Sequence, residues 1–302
     1  MFESLFSERG LSLDRLRVLV EVHAAGSIAQ AAPDDPIRQS QYSRQIRELA
    51  EFFGCEVTQR QGKVLKLTPQ GVRLASLARE HLQSLQDLWA ETRSEAVDYI
   101  IGGGDSLIQW LVLPQLGKVA RSFPDVRFAT ENLRTKQIFN GLTESRLDFG
   151  VLRKNAIPTG LRAKPLGKLD YVMVVPRKLR TGRGSRNVAT AWREVPFVTQ
   201  KSDGQFTKRL RNIASTGGTS FQPVLLCESF PQSLSAVKTG NYAAVLPRIA
   251  TKDLAAKDFL VLTDPVFETL SRDLVLAWNP RITQIRPLAL KLGEHLQALL
   301  AF

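Results

Sequence analysis

The chain has 302 residues, 43% hydrophobic and 23% charged, with a mean hydropathy of -0.11. That is the composition of a folded globular protein long enough for more than one core, and it argues against a disordered or membrane-embedded chain. The formal net charge of +12 suggests a polyanionic partner, but the excess is unevenly placed: residues 1–95 hold 12 basic against 13 acidic residues.

In chain order, Leu13 to His23 reads as an amphipathic helix, with Leu13, Leu16, Val20, Leu19 and Val22 on one side and Ala24-Ala25-Gly26 closing it. Ser27 stands where an N-cap belongs, before the short helix IAQAA, which Pro33 and Pro36 stop early. SQYSRQIRELAEFF reads as a longer helix with Ser40 as its cap and Tyr42, Ile46, Leu49 and Phe53 inward. CEVTQRQGKVLKLT gives two short strands around a turn at Gln61-Gly62, a β wing. Pro69 starts a helix reaching about Glu95, striped with Val72, Ala75, Leu82, Leu85 and Trp89. A lone helix cannot hide such a stripe, so Leu82, Leu85 and Trp89 are expected to pair two copies of the chain.

From Val97 the pattern alternates: VDYIIGGG, a helix from Ser106, VRFAT, a helix around Lys136 to Glu144, then LDFGVLR, a βαβαβ unit. A second such unit runs from YVMVVP through FVTQ, VLLCES and AAVLP, and LVLAW with a helix from Arg286 to Leu300 completes the chain. The pattern reads as an α/β chain: helices and a β wing over residues 1–68, a long helix over 69–96, and alternating strands and helices from 97 to the end.

No apolar run approaches the roughly 20 residues that span a bilayer, and MFESLFSERG lacks the regions of a secretory signal, so a cytoplasmic location without membrane contact is expected. Cys55 and Cys227 have no partner motif, and His23, His81 and His295 show no metal spacing. No nucleophile elbow, P-loop or dinucleotide fingerprint occurs. Neither a metal nor another cofactor is expected, nor catalysis.

LDRLRVLVEVHAAGSIAQAA, then Gln39, SRQIREL, Phe53-Gly54, Arg60 and KLTPQG resemble, in order and spacing, the head of the LysR-type transcriptional regulators. IGGG with Leu113-Pro114, FPDVRF, RLDFGVLR and AVKTGNYAAVLPR resemble the sensing half of the same family, whose fold is that of a type-2 periplasmic binding protein. The resemblance implies the fold class α/β with an N-terminal winged helix-turn-helix (1–68), a long linker helix (69–96) and a two-lobed α/β effector-binding domain, lobe I being 97–168 with 268–302 and lobe II 169–267. The resemblance implies double-stranded DNA and a small-molecule effector as partners, and assembly as a homodimer or a tetramer built from dimers. It places Arg38, Gln39, Gln41, Ser43 and Arg44 at bases or phosphates, Ser27 and Gln30 beside the backbone, and Arg60 and Lys63 of the wing on flanking phosphates.

The sequence departs from the family at PDDP, where Asp35 replaces an apolar residue, and at Tyr42, which replaces a leucine. Carboxylates next to phosphates repel, so a sensor with weakened or lost DNA binding, acting through protein contacts, is the competing reading. An enzyme on the same lobes is a more distant one.

In the sensing half, Gly103, Gly104, Asp105 and Ser106 open a helix whose free N–H groups favour an anionic effector, although Asp105 opposes it. Thr199, Gln200 and Lys201 end one strand and Glu228, Ser229 and Phe230 follow another; by family analogy these face the cleft between the lobes. From Arg162 to Arg211 there are 13 basic residues against Asp170, Glu194 and Asp203, which fits solvated surface, DNA backbone contact or attraction of an anionic effector or partner.

Overall fold

The computed structural model describes residues 2–62, 64–157, 160–179, 188–201, 205–286 and 288–302. The head comprises α1 (Glu3–Phe6), α2 (Leu13–Ala25), α3 (Ile28–Ala31), α4 (Pro36–Phe53) and the wing strands β1 (Thr58–Gln61) and β2 (Val64–Leu67). Its core is Val18, Leu19, Val22, Ile28, Tyr42, Ile46, Leu49, Val57 and Ala75. Leu13, expected inside, is 61% exposed, while Leu11 and Leu16 on either side of it pack against the head core and Val18 is buried with Leu19 and Val22.

The helix expected to begin at Ser40 begins at Pro36. A proline at the first helical position loses no hydrogen bond, and Asp35 caps it by accepting from the Arg38 N–H at 3.0 Å. The PDDP segment that reads as a stop is therefore also a start. In the wing, Gln61 pairs with Val64, and Gly62, which follows Gln61, has a φ of 65°.

The linker helix α5 (Pro69–Thr92) is capped by the Thr68 hydroxyl, which accepts from the Gly71 N–H at 3.0 Å. A Cβ on Gly71 would stand 2.2 Å from the Val57 carbonyl oxygen, so glycine lets α5 pass directly beneath the wing. One face of α5 buries Ala75 and Ala78; Glu80 and Asp87 are also buried, while Leu85, Leu88 and Trp89 stay exposed.

Lobe I is a five-stranded mixed sheet in the order β4-β3-β5-β12-β6, formed by β3 (Val97–Gly103), β4 (Val126–Asn132), β5 (Phe149–Arg153), β6 (Arg162–Leu169) and β12 (Arg272–Trp278). Around it lie α6 (Asp105–Leu107), a π-helical turn (Ile108–Val112), α7 (Leu113–Ser122), α8 (Thr135–Thr143), α12 (Ile282–Ile285) and α13 (Leu288–Leu300). The expected parallel unit is present in β4, β3 and β5, but β12 runs antiparallel to both β5 and β6. Strand β6 carries Pro165, which an edge position beside a bulge at Leu166 accommodates.

Lobe II departs further from a parallel unit. Its main sheet is antiparallel, with β7 (Tyr171–Pro176) between β10 (Ala244–Pro247) and β11 (Phe259–Leu262), while β8 (Val198–Gln200) and β9 (Leu225–Cys227) form a separate parallel pair. The helices α9 (Val188–Glu194), α10 (Gln205–Thr216) and α11 (Phe230–Lys238) pack around these strands. Two connections cross between the lobes, from β6 into β7 and from β11 into β12. They are tied together where Ser271 Oγ donates to Asp170 Oδ1 at 2.9 Å.

Candidate functional site

The outward face of α4 presents Ile37, Ser40, Gln41, Arg44 and Arg47, all exposed, because Tyr42, Ile46 and Leu49 turn the opposite face into the head. Gln41, Ser43 and Arg44 are open as the sequence suggests, with Arg44 Nε donating to Glu48 at 2.9 Å. Gln39 is half-buried, and its amide donates to the Ala32 carbonyl at 2.8 Å, stitching α4 to the end of α3. Ser27 is buried and caps α3, accepting from the Gln30 N–H at 3.2 Å; Gln30 itself is exposed. Arg38 donates to the Tyr42 hydroxyl at 2.9 Å, and that hydroxyl donates to Glu21, so the unusual tyrosine ties Arg38 to α2. Arg60 is exposed on β1, and Lys63 lies outside the described residues. Ile37, 74% exposed at the front of α4, escaped the sequence reading because the helix start was misplaced by four residues. The Asp35 carboxylate that seemed to threaten DNA is engaged as a helix cap.

A groove of about 1220 Å³ separates this head from lobe I. Ser27, Gln30, Gln39 and Ser43 line one wall, and Asn140 and Glu144 from the region of α8 line the other. At its end His23 Nε2 lies 3.5 Å from Glu144, which also pairs with Arg146 at 2.9 Å. Burial holds the His23 imidazole below its ordinary pKa, with Arg146 and Arg79 adding to the depression and Glu144 opposing it.

A buried guanidinium fastens the linker to lobe I, with Ser145 donating to Glu80 of α5 at 2.7 Å beside it. Arg286, 3% exposed, donates to Asp87 of α5 at 2.5 and 3.1 Å, to Asp148 at 2.6 Å and to the Asp98 carbonyl at 2.6 Å. Its Cζ lies 3.8 Å from the centroid of the Tyr99 ring. Burial and the surrounding carboxylates push the Tyr99 phenol far above its ordinary range, so this ring remains neutral beneath the cation.

Between the lobes lies a cleft of about 720 Å³. Gly104, Asp105, Ser106, Gln200, Ser229 and Phe230 line it, together with Glu228. Three expected residues do not line it. Gly103 is a buried strand residue over which Ile108 packs; a Cβ there would be 2.9 Å from that side chain. Thr199 is buried inside lobe II, its hydroxyl 3.4 Å from that of Thr207. Lys201 pairs with Glu228 in an exposed ion pair. The sequence reading missed Arg134, Gln137, Arg153, Tyr171 and Arg272, which also line the cleft. The arginine ending LDFGVLR was a visible signal; Arg272 was not, because the return of β12 beside β5 is a long-range pairing.

The linker stripe is exposed at Leu85 and Trp89 and half-buried at Leu82, and Leu88 extends it. Trp89 carries the Arg93 guanidinium over its ring at 4.3 Å. Among the described residues no group of three or more His, Cys, Asp or Glu could hold a metal, and no helix is long and apolar enough to cross a membrane.

Comparison with known proteins agrees with this architecture. Residues 99–301 match the family model of the LysR substrate binding domain, and residues 13–72 match that of the bacterial regulatory helix-turn-helix protein, lysR family. The transcriptional regulator TdcA of Escherichia coli K12 is 25% identical over 261 residues, covering 84% of this chain and 82% of its own. Among solved structures, a full-length OxyR variant from Pseudomonas aeruginosa superposes with a TM-score of 0.66 at 17% identity, covering 97% of both chains. Full-length CbnR in complex with its target DNA gives a TM-score of 0.58 at 17% identity, covering 96% of this chain and all of the other. With both halves matched in their proper order, the chain belongs to the LysR family of transcriptional regulators.

Proposed function

We propose that this protein binds specific double-stranded DNA through α4 and the wing, and that a small molecule in the inter-lobe cleft controls that binding; it acts in the cytoplasm, by recognition rather than catalysis. The observation that carries the reading is the outward face of α4, where Gln41 and Arg44 stand open on a helix held rigidly by a packed head. Glutamine and arginine are the side chains that read adenine and guanine edges in the major groove, and Ile37 suits a thymine methyl. The DNA complex of CbnR, a protein of the same fold, supports this use of the head. Homodimers joined through Leu82, Leu85, Leu88 and Trp89 would present two heads to a two-fold related site.

The test is fluorescence anisotropy of the full chain with DNA fragments from upstream of its own reading frame, across a range of salt. One fragment should be preferred, with affinity falling as salt rises. Gln41→Ala and Arg44→Ala should each relax discrimination by about 1–3 kcal/mol, the scale of one base-reading pair. Uniform weak binding to every fragment would overturn the proposal.

A further inference from the structure

The cleft holds more positive charge than its own acids answer. Arg153 ends β5 and Arg272 begins β12; Arg153 pairs with Leu274, two residues from Arg272, and both arginines line the cleft beside the crossover that returns the chain to lobe I. Arg209 of α10 does not line the cleft but comes up beside Arg272 from lobe II. Its Nη1 donates to the Thr269 carbonyl at 3.1 Å, the oxygen that Arg272 Nη1 also approaches at 3.3 Å. None of the three is ion-paired with a described carboxylate. Glu228, the acid on the facing wall, is taken by Lys201.

The surroundings make this crowding costly. Tyr171 opens β7 at the crossover, 7% exposed, and packs on Phe206 and Phe230 with ring centroids 5.2 and 5.8 Å away. The phenol is pushed up by burial and drawn back by Arg153, Arg272 and Arg209, while Arg272 is held below its ordinary value by burial and then by the other two guanidiniums. The guanidiniums are partly open to solvent, yet they still repel one another beside an aromatic wall, and an anion placed among them relieves that repulsion.

Resting on the effector-controlled reading above, we propose that the cleft takes a small organic dianion, a dicarboxylate or a phosphate monoester. Arg153 and Arg272 hold an anionic group, Arg209 adds its charge from beside Arg272, and the carbon skeleton lies against Phe230 and Tyr171.

Calorimetric titration of the full chain at constant ionic strength tests this with ring-matched probes: phthalate and phenyl phosphate as dianions, benzoate as monoanion and benzamide as neutral compound. At least one dianion should bind about tenfold or more tightly than benzoate. Arg153→Gln and Arg272→Gln should each weaken it about tenfold or more, the scale of a lost charge-assisted hydrogen bond. Lys118→Gln with Arg121→Gln, two exposed positions on α7, should leave it unchanged. Arg272→Lys, with its urea midpoint, separates lost recognition from lost folding: it keeps the charge and should retain part of the affinity.

Equal binding of benzoate or benzamide, indifference to the cleft substitutions, or equal loss in the α7 variant overturns the proposal. DNA anisotropy in the same samples separates the two readings. A neutral compound that shifts DNA binding where dianions do not sinks the charge class and leaves an effector-controlled regulator standing. Dianion binding that depends on the cleft arginines but never alters DNA binding upholds the site and sinks effector control.

Discussion

Asp35 shows how one side chain can reverse the meaning of its neighbours. Read alone, two acids between two prolines look like an interruption placed where phosphates should approach; in the fold, Asp35 closes the open end of α4. Asp35→Asn keeps an oxygen for the Arg38 N–H and removes the charge, so it should fold as well as the parent and bind DNA as tightly or more so. Asp35→Ala should cost about 1 kcal/mol of head stability, read from urea denaturation. Arg286 is a different case, because its partners are buried with it. Arg286→Ala leaves Asp87 and Asp148 without their cation inside the protein, and a loss of roughly 3–5 kcal/mol is expected in the same measurement. Arg286→Lys should recover little, since an ammonium cannot donate to Asp87, Asp148 and the Asp98 carbonyl in that fixed planar geometry.

At the scale of elements, α5 is polar where it should be greasy and greasy where it meets solvent. Its buried Glu80 and Asp87 are satisfied by lobe I, and its exposed Leu85, Leu88 and Trp89 await another surface. Leu85→Glu with Trp89→Glu should lower the assembly state in analytical ultracentrifugation while leaving the monomer's thermal midpoint nearly unchanged; unchanged mass would refute pairing through this face. Local periodicity made α2, α4, α5 and the strands β3, β5, β7 and β10 legible, because each carries its own apolar pattern. It could not reveal β6, whose RAKPLGKL alternates charge with proline, or the antiparallel course of β12, since these depend on partners more than 100 residues away. Gly104, Ser106, Gln200 and Phe230 could be named because helix-start and strand-end signals fell where the family resemblance places a cleft, whereas Tyr171 and Arg272 become cleft residues only when the two crossovers meet.

In the whole molecule, the head rests against lobe I at a titratable contact. His23 faces Glu144, Arg146 and Arg79, and its proton affinity in the folded chain lies below the ordinary value of 6.5. The undocked imidazole therefore protonates first, so docking is favoured above about pH 6.5 and weakens as the pH falls through the unfolded and then the folded value. A fluorescence donor and acceptor placed on the head and lobe I should separate on acidification from pH 7.5 to 5.5, and His23→Asn should flatten that response. Below this contact, Asp87 and Arg286 bind α5 to lobe I as one body, although the two residues are 199 positions apart. That union decides where the protein can be cut and rejoined. A hybrid regulator made by splicing a foreign sensor after α5 would keep Asp87 and discard the arginine that neutralises it. A junction before Pro69 exchanges the pair together, making the linker part of the sensor's inheritance rather than the head's.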